Sequence, residues 1–251
     1  MANPYDRKRA AVFLLAILTF AALSVTAEQP EIVVGAFSSA PPDSIPQGWR
    51  PWILKNVGRR TAYKLVRNDS QAIKAVARNS ASGLKRDLRI DPREYPIIEW
   101  RWKIAGVIGN ADISRKESND SPARLYVAFD YDISQVGFFE RLKYAAAKRI
   151  YSDSLPLRAL AYTWANRTSK EQFVPMPYTS WFMQVVVVEN DTSPVNEWVT
   201  EERDVCQDYK AAFGEDPRDV TGVAIMTNTD NLHGEAVAWY GDIIFRKNSI
   251  Q

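Results

Sequence analysis

Hydrophobic and polar residues alternate with a period of two along most of this chain. In IIEWRWKIA (97–105), Ile98, Trp100, Trp102 and Ile104 fall on one side, and Ile97, Glu99, Arg101 and Lys103 on the other. Successive side chains of a strand point to opposite faces, so this segment predicts a strand with its Trp pair in a core and its charges outside. Similar runs, rich in β-branched and aromatic residues and bounded by Gly, Pro, Asn, Asp or Ser, recur at 31–37, 62–66, 72–77, 83–90, 123–131, 157–164, 181–189, 221–227 and 236–245. In 236–245 the rhythm groups Val237, Trp239, Ile243 and Phe245 with Gly241, against Ala236, Ala238, Tyr240, Asp242 and Ile244. WFMQVVVVE (181–189) is apolar on both sides, which predicts a central strand covered on both faces. Short strands without regular helix alternation predict a mainly β fold: a jelly-roll-like β-sandwich, not a βαβ sheet.

Two stretches carry a helical period instead. In 136–150, Phe138, Leu142, Ala145 and Arg149 follow one another at single turns, and Phe139, Ala146 and Ile150 widen the stripe. In 200–213, Thr200 stands as a candidate N-cap, Glu201 and Glu202 suit the positive first turn, and Cys206, Tyr209 and Phe213 form an apolar stripe. Gly214 and Pro217 then end the helix. Helices of this kind cover a sheet edge or close the end of a barrel.

The first 27 residues stand apart. DRKR (6–9) precedes an uncharged apolar run (10–25) and a small-residue site, VTA, which predicts an export signal cleaved after Ala27 and no lasting membrane anchor. Cleavage leaves one expected domain, 28–251, of 224 residues, enough for a large sandwich. It also removes Asp6, Arg7, Lys8 and Arg9 from the 32 basic and 30 acidic side chains, leaving 29 of each. A balanced chain gives no basic stripe for nucleic acid. With Cys206 as its only cysteine, it has no internal disulfide. Export without disulfides points to a bacterial periplasm or exterior.

The polar clusters between strands are the candidate chemistry. MTNTDN (226–231) gathers Asn228, Thr229, Asp230 and Asn231 between two strands. Asn and Asp commonly cap turns, and a hard cation would want more carboxylates than Asp230 alone, so no metal is expected. Asn119, Asp120 and Arg124 stand at a strand entrance, where they could bind sugar hydroxyls or pair with each other; Arg124, Tyr126 and Asp130 alternate onto one face. YTW (162–164) places Tyr162 and Trp164 on one face, as a sugar-stacking platform or as core. Asp204 and Asp208 share a helical face, read as solvated or as partners of a strand arginine. His233 is the only histidine, which rules out a two-histidine zinc site, and no GxSxG, P-loop or GxGxxG is present.

Taken in order, ASGLKRDLRIDPREYPIIEWRWKI, NDSPARLYVAFD, LAYTWAN, EWVTEERDVCQDYKAAFGEDP and GVAIMTNTDNLHGEAVAWYGDIIF resemble the DUF3047 family over roughly 35–246. The resemblance implies an exported bacterial protein of unassigned function, with a β-sandwich like those of carbohydrate-binding jelly rolls. It also implies Asp-Asp where this chain has Asn119–Asp120, and Asp-Thr-Asp-Asn where it has Asn228–Thr229–Asp230–Asn231. Each place has lost a carboxylate. The stretch 133–156 is longer than the family's usual length.

The expected function is therefore binding of an envelope or extracellular saccharide, or a similar polyhydroxyl ligand, without a cofactor. Tyr162 and Trp164 are the expected platform; Arg101, Asp120, Arg124, Asp230 and Asn231 are the expected hydrogen-bonding set. Two alternatives stay open. One is a carboxylate-dependent carbohydrate-active enzyme, which needs two of Glu99, Asp120, Asp130, Asp208, Asp230 and Asp242 across one cleft. The other is an envelope protein-interaction module, with the basic helix at 136–150 as its first surface.

Overall fold

The computed structural model describes residues 30–41, 44–67, 70–150, 155–177 and 181–248; the expected export signal lies outside the described residues. The chain runs through β1 (Glu31–Gly35), β2 (Trp49–Ile53), β3 (Ala62–Arg67), β4 (Gln71–Arg78), β5 (Ala81–Ile90), β6 (Ile97–Ile104) and β7 (Ser121–Phe129) to α1 (Phe138–Ile150). It continues through β8 (Arg158–Trp164), β9 (Phe173–Pro175), β10 (Met183–Glu189), β11 (Val199–Asp204), α2 (Val205–Phe213), β12 (Val220–Asn228) and β13 (Glu235–Arg246).

These strands form a β-sandwich. A six-stranded sheet runs β11-β6-β13-β4-β3, with β1 also paired to β13, and a seven-stranded sheet runs β2-β5-β12-β7-β8-β10-β9. Every pairing is antiparallel except β8 with β10. The edge strands of the larger sheet, β2 and β9, each contain a proline, Pro51 and Pro175.

The core follows the two-residue rhythm. Ile98, Trp100, Trp102 and Ile104 are all buried between the sheets. Trp100 meets Tyr162 of the facing sheet with ring centres 5.1 Å apart, and Trp102 meets Trp164 at 5.8 Å. Such aromatic pairs add to the stabilisation that comes from burying their area.

Three strand segments differ from expectation. The inward side of β13 is Ala236, Ala238 and Tyr240, then Ile243 and Phe245. Between Tyr240 and Ile243 the pairing to β6 advances only from Trp102 to Trp100. This bulge carries one extra residue and flips the faces. β10 is covered on both faces, as expected, yet it lies next to the edge strand β9: Val186 and Val188 join the inter-sheet core, and Val185 and Val187 join an outer cluster with Ala147 of α1. The segment 199–204 is strand β11, and the helix starts later: Asp204, not Thr200, caps α2 by accepting the N–H groups of Cys206 and Gln207 at 2.9 and 3.0 Å. Gly214 ends α2 in the left-handed conformation, as expected.

α2 buries Val205 and Tyr209 in the inter-sheet core, where Tyr209 stands 4.7 Å from Phe129. α1 docks on the outer face of the seven-stranded sheet through Tyr144 and Ala147, with the Tyr144 and Phe182 rings 5.4 Å apart. The stripe expected to be covered faces outward instead: Phe138, Phe139 and Leu142 are 69%, 71% and 61% exposed, and Ala145, Ala146 and Arg149 are exposed too. The side chain of Ile150 lies outside the described set. Among the described residues no helix is long and apolar enough to cross a membrane.

Candidate functional site

Leu125, Val127 and Phe129 of β7 point into the core, so Arg124, Tyr126 and Ala128 point out of the seven-stranded sheet. On β12, Ile225 and Val223 face in, and Asn228, Met226 and Ala224 face out beside them. Here the outer face is not roofed by α1, and a pocket of about 170 Å³ opens over Arg124, Tyr126, Met226 and Asn228. Trp52 of β2 forms one wall, edge-to-face with Tyr126 at 5.2 Å and 89°. Gly83, opposite Trp52 in the ladder, makes room for it: a Cβ at Gly83 would stand 2.6 Å from the Ile225 carbonyl oxygen and 3.2 Å from the Trp52 ring.

The polar rim comes from two loops joined by one carboxylate. Asp120 is 1% exposed. Its Oδ1 accepts from Asn228 Nδ2 at 2.9 Å, the Asn231 N–H at 3.2 Å and Asn231 Nδ2 at 3.0 Å; its Oδ2 accepts the Leu232 N–H at 2.8 Å. Burial raises the Asp120 carboxyl above the usual range, and these donors work against that rise. Asn228 Nδ2 also reaches the Asn119 carbonyl at 3.1 Å and Asp230 Oδ1 at 3.2 Å. Arg124 Nη2 donates to Asn119 Oδ1 at 2.6 Å. Asp120 therefore holds the loops together from below, while Asp230 and Asn231 reach the pocket. Three buried polar atoms of lining residues, Trp52 Nε1, Arg124 Nε and Asn228 Oδ1, have no hydrogen-bond partner among the described residues. Buried polar groups are normally satisfied, so orphans gathered at one pocket mark it as a place for a polar ligand.

Of the sequence-derived residues, the fold brings together Asp120, Arg124, Asp230 and Asn231. It separates the other three. Tyr162 and Trp164 are fully buried and offer no platform, because their strand turns that face to the facing sheet. Tyr162 donates to Asp208 Oδ2 at 2.9 Å, and Trp164 Nε1 donates to the Asn190 carbonyl at 3.0 Å. Arg101 lies on the outside of the other sheet, crossing Gly241 and stacked on Trp198 at 4.8 Å. Trp52, Tyr126 and Asn228 line the pocket as well, outside the expected set. Tyr126 was legible from its alternation with Arg124. Trp52 was not, because Pro51 interrupts the strand pattern of WRPWI.

The acids considered for hydrolysis scatter. Asp208 forms a paired salt bridge with Arg203 at 2.7 and 3.0 Å, as a helix carboxylate meeting a strand arginine. Asp242 accepts from Ser38, Glu99 lies 3.4 Å from Arg246, and Asp130 lies 3.8 Å from Arg89. Of the six, only Asp230 lines the pocket. Among the described residues no cluster of three or more His, Cys, Asp or Glu side chains is placed to hold a metal ion. Cys206 is half-buried, its thiol pushed up to about 11 by burial.

Among the described residues, fold and site define a two-sheet β-sandwich with two peripheral helices and a polar–aromatic pocket on the outer face of its larger sheet. The chain belongs to the family described as a protein of unknown function (DUF3047), whose model matches residues 47–244. Among curated proteins none matches. Similar solved structures include a family 29 carbohydrate-binding module complexed with mannohexaose, at 11% identity over 87% of this chain and 92% of that one, TM-score 0.38. Winged bean acidic lectin complexed with methyl-α-D-galactose is 10% identical over 88% of this chain and 100% of that one, TM-score 0.38. A β-1,2-glucanase from Parabacteroides distasonis is 9% identical over 89% of this chain, TM-score 0.42; the match spans 26% of the glucanase.

Proposed function

We propose that this protein binds a saccharide, or another polyhydroxyl ligand, on the outer face of its seven-stranded sheet. One observation carries the reading: a single recess combines the Trp52–Tyr126 pair with Arg124, Asn228, Asp230 and Asn231 on its floor and rim. Aromatic walls take the C–H-rich faces of sugar rings, and a few convergent polar groups fix their hydroxyls. Binding is favoured over cleavage because hydrolysis by carboxylates needs an acid and a second carboxylate across the bond, and among the described residues the pocket presents Asp230 alone. The leader-like first 27 residues support an exported protein, so the ligand is placed in the bacterial envelope or outside the cell.

The test is a glycan array followed by titration calorimetry. Wild type is expected to bind, and Trp52→Ala to weaken binding by about tenfold or more, the scale of one lost aromatic anchor. A wild-type protein that binds no glycan overturns the reading. A second reading, a protein-docking module, rests on the exposed Phe138, Phe139 and Leu142 beside Arg141, Lys143, Lys148 and Arg149 of α1. It is favoured if substituting those three apolar residues abolishes envelope recruitment while glycan binding is unchanged.

A further inference from the structure

The recess does not end at Trp52 and Tyr126. These two residues and Leu155 also wall a second hollow of about 360 Å³, which extends over Gly222, Ala128 and Lys85. At the other end, Asn56, Val57 and Asp230 are shared with a third hollow of about 300 Å³ that reaches Arg59 and Asn79. The three adjoin through these shared lining residues and together outline a trough. Its floor follows β12 from Asn228 to Gly222, which at the rise of a strand is about 20 Å. That is long enough for several sugar units in a row.

The trough is also charged in one sense. Arg50, Lys85, Lys116, Arg124 and Arg59 line it, against Asp87 and Asp230. Asp87 already pairs with Arg50, and Lys85 Nζ lies 3.5 Å from it. Arg124 is different. It is 3% exposed, yet among the described residues no carboxylate stands within ion-pair distance of it. Its Nη2 is spent on Asn119, and its Nε has no acceptor among the described residues. A buried guanidinium without a counter-charge is costly. A neutral sugar hydroxyl offsets little of that cost, whereas a carboxylate matches the planar fork in charge and shape.

We infer that the ligand is an extended acidic oligosaccharide, its chain lying along the trough and a uronate carboxylate taken by Arg124. The inference rests on the saccharide reading above. The experiment titrates the full protein with galacturonate, mannuronate and glucuronate oligomers, from monomer to hexamer, each beside its carboxyl-reduced neutral counterpart. For at least one series, affinity is expected to rise with chain length. Reduction of the carboxyls is expected to weaken binding about thirtyfold or more, the scale of a lost buried charge pair, and Arg124→Gln to erase the difference between the acidic and reduced forms. Equal affinity for acidic and reduced oligomers overturns the acidic ligand and leaves saccharide binding intact. Monomer and hexamer binding alike overturns the extended chain. No binding of any sugar, acidic or neutral, removes both readings together. Should Arg124→Gln fail to fold by circular dichroism, the acidic-against-reduced comparison on wild type still decides, and an affinity unchanged by added salt counts against the inference.

Discussion

Asp120 collects four N–H donors from Asn228, Asn231 and Leu232 on one buried carboxylate. Replacing it with Asn keeps the shape but turns an N–H donor toward other donors. Asp120→Asn is therefore expected to lower stability by about 1–3 kcal/mol, the cost of leaving buried groups unsatisfied, measured by urea unfolding. A loss of saccharide binding should accompany it, since Asp120 positions Asp230 and Asn231 without lining the pocket itself. The polar half of the site was legible because Asp120, Arg124, Asp230 and Asn231 stand in polar clusters at strand ends, where loops gather. The aromatic half was not. Sequence alone cannot tell which side of a doubly covered strand meets the facing sheet, and Tyr162 and Trp164 lie on that inner side.

At the scale of elements, the close pairing of β5 with β12 sets the shape of the pocket. Gly83→Ala would drive a methyl group into the Ile225 carbonyl at 2.6 Å and press on the Trp52 ring. The expected result is a loss of about 1–3 kcal/mol, typical of overpacking, together with weaker ligand binding as the Trp52 wall shifts. Thermal unfolding and calorimetry read the two effects separately. Ten strands could be placed from period and composition alone. β2 could not, being short and broken by Pro51, and TEERD was read as the start of a helix. Thr200 and Asp204 are both plausible caps by residue type, and the ladder to β6, which makes 199–204 a strand, is a non-local contact that no local pattern encodes. The β13 bulge is hidden for the same reason: a single extra residue inverts every later side chain, and its cause lies in the partner strand.

Across the whole molecule, the two sheets meet at a pair of acids as well as at their rings. Glu201 of β11 accepts from Trp102 Nε1 at 3.0 Å, and its carboxyl is pushed up to about 7 by burial, with the charge of Glu189 of β10 adding to the effect. Glu189 in turn lies 2.6 Å from Lys170 Nζ. Between the ordinary carboxylate range and about 7 the folded state then binds a proton that the unfolded chain has released. Stability is expected to be fullest at the acidic end of this window and to fall as pH rises through it. Glu201→Gln should flatten that decline, as followed by chemical denaturation at a series of pH values; an unchanged slope in the variant would refute the assignment.

The prolines of β2 and β9 bear on how such a protein behaves in a crowd. A backbone nitrogen without hydrogen cannot donate to a newcomer, and both rims of the seven-stranded sheet carry one, at Pro51 and Pro175. Neighbouring copies thus find no continuous row of donors along which to zip edge to edge.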